Sequence, residues 1–165
     1  MEVCKSPNTY LVVIIGNLPE KLDYLRSKDV RLVESIESGL HPYEQVRELE
    51  TLTARMNDYQ EKVVITTYSP YIMAHLDNLV QGSNNPVTRE RQSQHLFNKN
   101  ANSFISHEKV EVYRTERDKV SACDKLVAIP YSEDKGFDWN TLSEPSVDIQ
   151  QIFFKIYEEE KPNNG

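Results

Sequence analysis

The sequence Val30-Arg31-Leu32-Val33-Glu34-Ser35-Ile36-Glu37-Ser38-Gly39-Leu40-His41-Pro42 begins with a short apolar run and ends in an acidic, polar corner. A second apolar run, Lys62-Val63-Val64-Ile65-Thr66-Thr67-Tyr68-Ser69-Pro70, also ends in polar residues. Both runs are typical of β-strands, and one amphipathic helix is predicted between them. This order predicts a β-α-β unit whose right-handed crossover lays the two strands parallel. Both polar ends then fall at the carboxyl edge of the sheet, where open α/β sheets bind ligands.

The connecting helix is predicted to begin at Pro42 and to end near residues 57–58. Side chains at three- and four-residue steps form a stripe expected to pack on the sheet: Val46, Leu49, Leu52, Thr53 and Met56. The others are expected to face water: Arg47, Glu48, Glu50, Thr51 and Arg55. A further helix is predicted from Pro70, with Ser69 as its N-cap. His75 on that helix is expected to be a surface or packing histidine, because it has no partner at metal-ligand spacing.

Composition excludes several classes of function. With 165 residues the chain is long enough for one ordinary domain, predicted to span residues 1–165. Lys and Arg number 19 against 26 Asp and Glu, and the net charge of -7 disfavours a general nucleic-acid role. The two cysteines, Cys4 and Cys123, lie too far apart in sequence to indicate a zinc site or a disulfide framework. Because no signal peptide or membrane-length apolar run is found, a soluble cytoplasmic protein is predicted.

The remaining segments complete the predicted fold class. Residues 9–18 are apolar on every side, and periodicity alone does not separate a buried helix from a buried strand. Residues 81–103 are rich in Gln, Asn and Ser and predict a long flexible loop. Residues 110–115 alternate like a strand, and residues 119–123 are predicted to be its antiparallel partner. An amphipathic pattern from residue 145 predicts a terminal helix. The prediction is therefore an α/β fold with a parallel β-α-β core, a C-terminal β-hairpin and a terminal helix.

Two segments resemble a known protein family. Glu37-Ser38-Gly39-Leu40-His41-Pro42 resembles the Walker B/D-loop segment of ABC-type ATPase heads, and Thr66-Thr67-Tyr68-Ser69-Pro70 resembles their switch segment. The heads concerned are those of single-chain bacterial ATPases of the overcoming-lysogenization-defect, SMC and phage-defence kind. In them the first segment reads approximately apolar run, Asp, Glu, Pro, Glu, x, x, Leu, His, Pro, and the second reads apolar run, Thr, Thr, His, Ser, Pro. The resemblance implies a partial P-loop-NTPase-like parallel sheet.

The departures from the family pattern fall on the catalytic positions. Glu34 takes the place of the metal-associated Asp, Ser35 that of the catalytic Glu, and Ile36 that of the Pro. Tyr68 replaces the switch His. Hydrolysis needs a carboxylate to orient water and a group that senses the γ-phosphate, and neither a serine nor a phenol serves well at neutral pH. Glu34, Ser35 and Tyr68 are therefore degenerate catalytic positions, and Glu34 is the one candidate metal ligand.

Two further features indicate a partial ATPase head. No Gly-x-x-x-x-Gly-Lys-[Ser/Thr] loop occurs anywhere, so the backbone cradle and lysine that hold phosphates are missing. Ser6-Pro7-Asn8-Thr9 sits where the family has a signature motif, approximately Ser-x-Gly-Thr, that opens a buried helix. The resemblance thus implies that residues 9–25 are mostly helical and that the chain matches the carboxyl-terminal half of a head. Such a half sheet is expected to expose an apolar edge and face that another element must cover.

The first functional hypothesis follows from how family heads assemble. They dimerise head to tail, and the signature and D-loop of one head complete the nucleotide site of the other. The resemblance implies a non-hydrolysing fragment that acts as partner or inhibitor of a complete ATPase, in phage defence or counter-defence. Its nucleotide or partner interface would consist of Ser6, Glu37, Ser38, Gly39, His41, Pro42 and Ser69. The implied partners are a complete ABC-type ATPase subunit or a second copy of the chain, with ATP and Mg²⁺ bound only alongside a partner. No membrane is involved, and nucleic acid is reached only through a partner.

Two alternatives stay open at this point. One is a residual ATP-binding or ATPase subunit that uses Glu34, Ser35 and Ser69, with a separate chain supplying Walker A. The other is a truncated remnant with no activity of its own. Simpler roles for single residues also stay open. Glu37 would act as a cap or pair with Arg31, Tyr68 would pack as a half-buried strand aromatic, and Ser35 would hydrogen-bond its own turn.

Overall fold

The computed structural model describes residues 10–19, 30–85, 89–118 and 123–139, which form a layered α/β fold. The strands are β1 (Leu11–Ile15), β2 (Arg31–Val33), β3 (Val63–Thr67), β4 (Val110–Arg117), β5 (Asp124–Ile129), β6 (Tyr131–Ser132) and β7 (Gly136–Phe137). The helices are α1 (Pro42–Tyr59), α2 (Pro70–Asn84) and α3 (Arg89–Ser93), and 3₁₀ turns cover Ala101–Ser103 and His107–Lys109.

Five strands form the main sheet in the order β2-β3-β1-β4-β5. The pairs β2–β3, β3–β1 and β1–β4 are parallel, and β5 is antiparallel to β4. β6 and β7 form a separate two-stranded antiparallel sheet. The predicted β-α-β unit is β2-α1-β3, so the mostly parallel α/β architecture and the later hairpin are confirmed. From β1 the chain continues to β2, which lies beyond β3 toward one edge of the sheet. From β3 it continues to β4, which lies beyond β1 toward the other edge. The direction in which the chain crosses the sheet therefore reverses at the boundary between β1 and β3.

The prediction that residues 9–25 are mostly helical is wrong for its described part. Leu11–Ile15 form β1, every residue of which is buried. The strand pairs with β3 on one side and with β4 on the other. A run of Leu, Val and Ile without amphipathic spacing is typical of a central parallel strand that is covered on both faces. This apolar run therefore lies at the centre of the five-stranded sheet.

The main core lies between the sheet and helices α1 and α2. The predicted stripe of α1 is buried in full, namely Val46, Leu49, Leu52, Thr53 and Met56. It meets Leu11, Val13 and Ile65 of the sheet, together with Ile72, Met73, Leu76 and Leu79 of α2. The alternate residues Val12, Ile14 and Val64, on the opposite face, are buried as well. Removing this apolar surface from water, at about 25 cal/mol per Å², is the main term that holds the layers together.

The later segments depart from the predicted boundaries. In residues 81–103, where a long loop is predicted, α2 continues to Asn84, α3 follows, and Leu96 is buried. The strand that pairs antiparallel with β4 is Asp124–Ile129. Residues 119–122 of the predicted partner strand lie outside the described residues. The predicted terminal helix from residue 145 and the candidate residue Ser6 lie outside the described residues. Within the described ranges, no helix combines the length and apolar character needed to cross a membrane.

Candidate functional site

The two motif-bearing segments meet at the carboxyl edge of the sheet, as the sequence predicts. After β2 the backbone N–H of Ser35 donates to Thr66 Oγ1 (2.8 Å), and the N–H of Ile36 donates to the carbonyl of Thr66 (3.1 Å). Ser35 itself has a left-handed backbone (φ +49°), which turns the chain out of the strand. The bond from Ser35 that the structure shows is therefore a backbone bond to the neighbouring strand.

A compact turn carries the next three candidate residues, Glu37, Ser38 and Gly39. The N–H of Ser38 donates to the carbonyl of Ser35 (2.7 Å), and the N–H of Leu40 donates to the carbonyl of Glu37 (3.0 Å). Gly39 has a positive φ of +73°, a conformation that glycine adopts at low cost. A Cβ atom placed on Gly39 would have no other heavy atom within 4 Å. Ser38 and Gly39 are exposed, so this turn presents backbone and small side chains to the solvent.

Glu37 ties this turn to the switch-like segment. Its Oε1 accepts a hydrogen bond from the backbone N–H of Tyr68 (2.7 Å). Its Oε2 is buried and has no hydrogen-bond partner in the part of the chain that the structure describes. The observed contact of Glu37 is thus the one to Tyr68, in place of the ion pair with Arg31. An unpartnered buried carboxylate oxygen is costly and rare in native proteins, which makes it a functional candidate.

Ser69 links the amino ends of the two long helices. Its Oγ donates to Oε1 of the buried residue Gln45 (2.6 Å), and Gln45 Nε2 donates to the carbonyl of Leu40 (3.0 Å). The backbone N–H of Ser69 donates to Thr67 Oγ1 (2.9 Å). Ser69 holds the N-cap position of α2 as predicted, although its side chain makes no capping bond. The Ser69 hydroxyl is therefore engaged in a hydrogen bond within the fold.

The start of α1 places His41 and Pro42 at the same edge. His41 is the N-cap residue, its backbone N–H donates to Glu44 Oε2 (2.9 Å), and Pro42 occupies the first turn. The ring of His41 stacks on Tyr43 with 5.8 Å between centroids, and Tyr43 contacts the Phe97 ring edge-on at 5.7 Å.

Tyr68 is 54% exposed, so its interpretation as a half-buried strand aromatic is wrong. It follows the last residue of β3 and points outward because the strand has already ended.

Glu34, the candidate metal ligand, is exposed on the turn after β2 and takes part in an interaction of its own. No cluster of three or more His, Cys, Asp or Glu side chains suited to a metal ion occurs among the described residues. The chain also has no glycine-rich phosphate loop with its lysine. The residues present therefore do not fit a complete site for Mg²⁺ and ATP on this chain alone.

A cleft of about 580 Å³ opens beside this edge, at the carboxyl ends of β1, β3 and β4. Gly16 lies on its wall with φ +121°, and a Cβ there would come within 2.9 Å of Thr115 Cβ, so a glycine is required. Arg114 and Arg117 line the cleft, and Arg114 pairs with Glu116 at 2.7 Å. Because the cleft adjoins the β1–β3 boundary where the chain reverses direction, it lies where open α/β sheets place ligands. Sequence reasoning missed this cleft because β1 was assigned to a helix.

Sequence reasoning also missed a buried carboxylate–histidine pair. Glu50 is 0% exposed, although the helical pattern predicts that it faces water. Its Oε1 contacts His75 Nε2 at 2.8 Å, and its oxygens accept the backbone N–H groups of Phe97 (3.0 Å) and Asn98 (2.6 Å). Burial by itself raises the pKa of Glu50, but the hydrogen bonds from His75, Asn98 and Phe97 outweigh it and lower the pKa below its ordinary range. The segment that covers Glu50 is distant in sequence, so helical periodicity contained no signal for this pair.

No protein-family model, curated protein or solved structure matches this chain at a significant level. The geometry described above therefore carries the functional argument.

Proposed function

We propose that this chain is a non-hydrolysing, ATPase-like binding protein that docks on a complete ABC-type ATPase subunit and modulates it, in phage defence or counter-defence. The observation that carries the proposal is Glu37. It accepts the N–H of Tyr68 and so joins the two motif-bearing segments, while its buried Oε2 has no partner among the described residues. Glu37 therefore fixes the shape of the edge at which the exposed turn residues Ser38 and Gly39 would meet a partner subunit.

Polar groups that a working ATPase would turn toward nucleotide are engaged within the fold here. Thr66 Oγ1 accepts the N–H of Ser35, and Thr67 Oγ1 accepts the N–H of Ser69. Ser69 Oγ donates to Gln45. Together with Ser35 and Tyr68 at the catalytic positions, these bonds favour a protein that retains the shape of an ATPase head without hydrolysing ATP.

The surroundings of Glu37 favour a protein as partner. His41, Tyr43 and Phe97 form a chain of ring contacts, and Tyr68 and Tyr71 lie at the adjoining amino end of α2. These five residues are called the aromatic patch. The four largest rings are 42% to 61% exposed, with Tyr43 the most exposed. Tyrosine and phenylalanine are enriched in protein interfaces, where they bury much area at little entropic cost.

The first test measures ATP turnover by complete ATPase heads of the overcoming-lysogenization-defect and SMC kinds, with and without this chain. We expect no turnover by the chain alone and a changed turnover rate in at least one mixture. Calorimetry of the chain with ATP and Mg²⁺ should show no binding in the micromolar range. Turnover by the purified chain itself would contradict the proposal.

A matched pair of variants locates the docking surface. Tyr43→Ser removes the most exposed ring of the aromatic patch near the start of α1, whereas Tyr59→Ser removes a 75% exposed ring at the end of the same helix. We expect Tyr43→Ser to weaken the effect on the ATPase about tenfold, the usual loss at an interface hot spot, and Tyr59→Ser to leave it unchanged. Light scattering of both variants separates docking on an ATPase from self-association. Equal losses in both variants would place the partner elsewhere.

A second candidate function is a residual ATP-binding subunit, which the cleft beside β1 favours. Arg117 is exposed on the wall of this cleft, and Arg114 lies three residues before it on β4. Guanidinium groups bind phosphate oxygens in a bidentate manner. If calorimetry detects micromolar binding of ATP, about -8 kcal/mol, then Arg117→Ala should weaken it while Arg91→Ala on α3 should not. That result would replace the first proposal.

A further inference from the structure

A second cavity, of about 330 Å³, lies between α2 and the segment that follows α3. Its wall contains the carboxamides of Asn78, Gln81, Asn85 and Gln92. Two histidines, His75 and His95, also line it, and none of its described lining residues is Lys, Arg, Asp or Glu. Carboxamides offer both donors and acceptors without net charge. We call this cavity the carboxamide cleft.

His75 forms part of the same wall, and a buried carboxylate holds its ring in one orientation. It is 6% exposed, and its Nε2 contacts Oε1 of the fully buried Glu50 at 2.8 Å. The other oxygen of Glu50 accepts the N–H of Asn98 (2.6 Å). An ionised carboxylate accepts hydrogen bonds, so Nε2 carries the proton of this contact, which fixes the orientation of the ring. Glu50 is thus a positioning residue for a polar group of the cleft.

Aromatic rings supply flat surfaces to the cleft. Phe97 lies on the wall, is 42% exposed and meets the His75 ring edge-on at 5.8 Å. Phe104 also contributes, and it fits only because residue 82 is glycine, since a Cβ there would lie 2.2 Å from the Phe104 ring. The same missing Cβ leaves room for Gln92, whose Oε1 would lie 3.0 Å away.

We propose that the carboxamide cleft binds a small, neutral, planar heterocycle with hydrogen-bonding edges, of the nucleobase kind. The uncharged lining disfavours phosphates and other ions, because a buried ion needs an opposite charge. Asn and Gln side chains pair with the donor–acceptor edges of bases, and aromatic rings stack on base faces. The volume lies at the low end of the range for small-molecule sites, about 300–1,000 Å³, which suits a base or nucleoside. The proposal does not depend on the function assigned to the carboxyl edge of the sheet.

The test is a ¹H–¹⁵N NMR titration of the full chain with adenosine, guanosine and uracil, with galactose as a non-planar polyol. We expect saturable shifts of the backbone amides of Gln81, Gly82, Phe97 and Asn98 with at least one base or nucleoside. The dissociation constant should be on the order of 0.1–1 mM, as expected for a small ligand with few contacts. Galactose should cause no saturable shift.

Two glutamines in one segment provide the variant and its control. Gln92 lines the cleft, whereas Gln94, two residues later, is exposed and does not. Gln92→Ala should weaken binding of the base about tenfold, the loss expected for one edge contact, and Gln94→Ala should leave it unchanged. Absence of saturable binding by every base, equal effects of the two variants, shifts confined to other residues, or tighter binding of galactose would each overturn the proposal.

Discussion

Glu37 and Glu50 perform a similar task at two places in the fold, and they differ in how completely their oxygens are satisfied. Each carboxylate accepts backbone N–H groups from a segment far away in sequence. Glu50 accepts the N–H groups of Phe97 and Asn98 and contacts His75, and it is 0% exposed. Glu37 accepts only the N–H of Tyr68 and keeps a buried oxygen without a partner. The first carboxylate completes a structural junction, whereas the second retains unused hydrogen-bonding capacity beneath the surface where we propose docking.

This difference has a physical basis in the cost of burial. A buried carboxylate is tolerated when hydrogen bonds replace its lost hydration, and each missing bond leaves part of that cost in place. Substitution at Glu50 should therefore reduce stability strongly, and substitution at Glu37 should affect stability little and partner effects more. The predictions below test this contrast in order of expected effect.

The largest effect is expected for Glu50→Gln. The amide keeps the shape of the side chain but replaces one acceptor oxygen by a donor, which then faces backbone N–H groups that also donate. We expect the free energy of unfolding in urea to fall by about 3 kcal/mol. Glu48→Gln, two residues earlier on α1, serves as the control, with an expected change within about 0.5 kcal/mol. Equal effects of the two changes would show that the Glu50 bonds contribute no net stability.

The pH dependence of stability should sharpen the same contrast. The pKa of Glu50 is lower in the folded chain than its ordinary value of about 4.3, so the unfolded chain binds the proton first as the pH falls. The contribution of Glu50 is therefore present above that ordinary value and is lost as the pH falls through the folded pKa.

Urea unfolding of the wild type and of Glu50→Gln from pH 7 to pH 3 measures the contribution of Glu50 to stability. The difference between their free energies of unfolding should shrink toward low pH. Asp77 acts in the opposite direction, because burial raises its pKa despite hydrogen bonds from Phe137 and Trp139. Because Asp77 is present in both proteins, its contribution to the pH dependence cancels in the difference between their free energies of unfolding. A difference that stays constant with pH would contradict the assigned direction.

A smaller effect is expected for Ser69→Ala. This change removes the buried hydrogen bond to Gln45 that joins the amino ends of α1 and α2, and it leaves the amide oxygen of Gln45 without its donor. We expect a loss of about 1 kcal/mol of unfolding free energy. Ser38→Ala on the exposed turn is the matched change and should be nearly neutral. A double-mutant cycle with Gln45→Ala that shows no coupling would contradict the role given to this bond.

The smallest effect on stability is expected for Glu37→Gln. The amide oxygen can still accept the N–H of Tyr68, and the change removes a charge whose second oxygen lacks a partner. We expect a change in unfolding free energy within about 1 kcal/mol, against a clear loss of the effect on the ATPase. A stability loss as large as that of Glu50→Gln would mean that Glu37 is a structural residue like Glu50.

Local patterns predicted the β-α-β unit and its polar ends well. The α1 stripe is buried as its spacing implies, and Ser35, Glu37 and Ser69 lie together because parallel strands bring their carboxyl ends to one edge. The assignment of residues 9–25 to a helix failed because an all-apolar run carries no periodicity and the family analogy then decided the choice. Resemblance to an ATPase head, and every role drawn from it, stays a prediction.

What the sequence by itself determined was local: which runs are apolar, where α1 begins, and which polar residues follow β2 and β3. Only the tertiary structure decided that β1 lies at the centre of the sheet, between β3 and β4. It also decided that Glu50, on a face expected to be solvated, is buried beneath residues 97–98 and paired with His75. The physical reason is that burial depends on segments distant along the chain, whereas sequence periodicity reports only what one element would do alone.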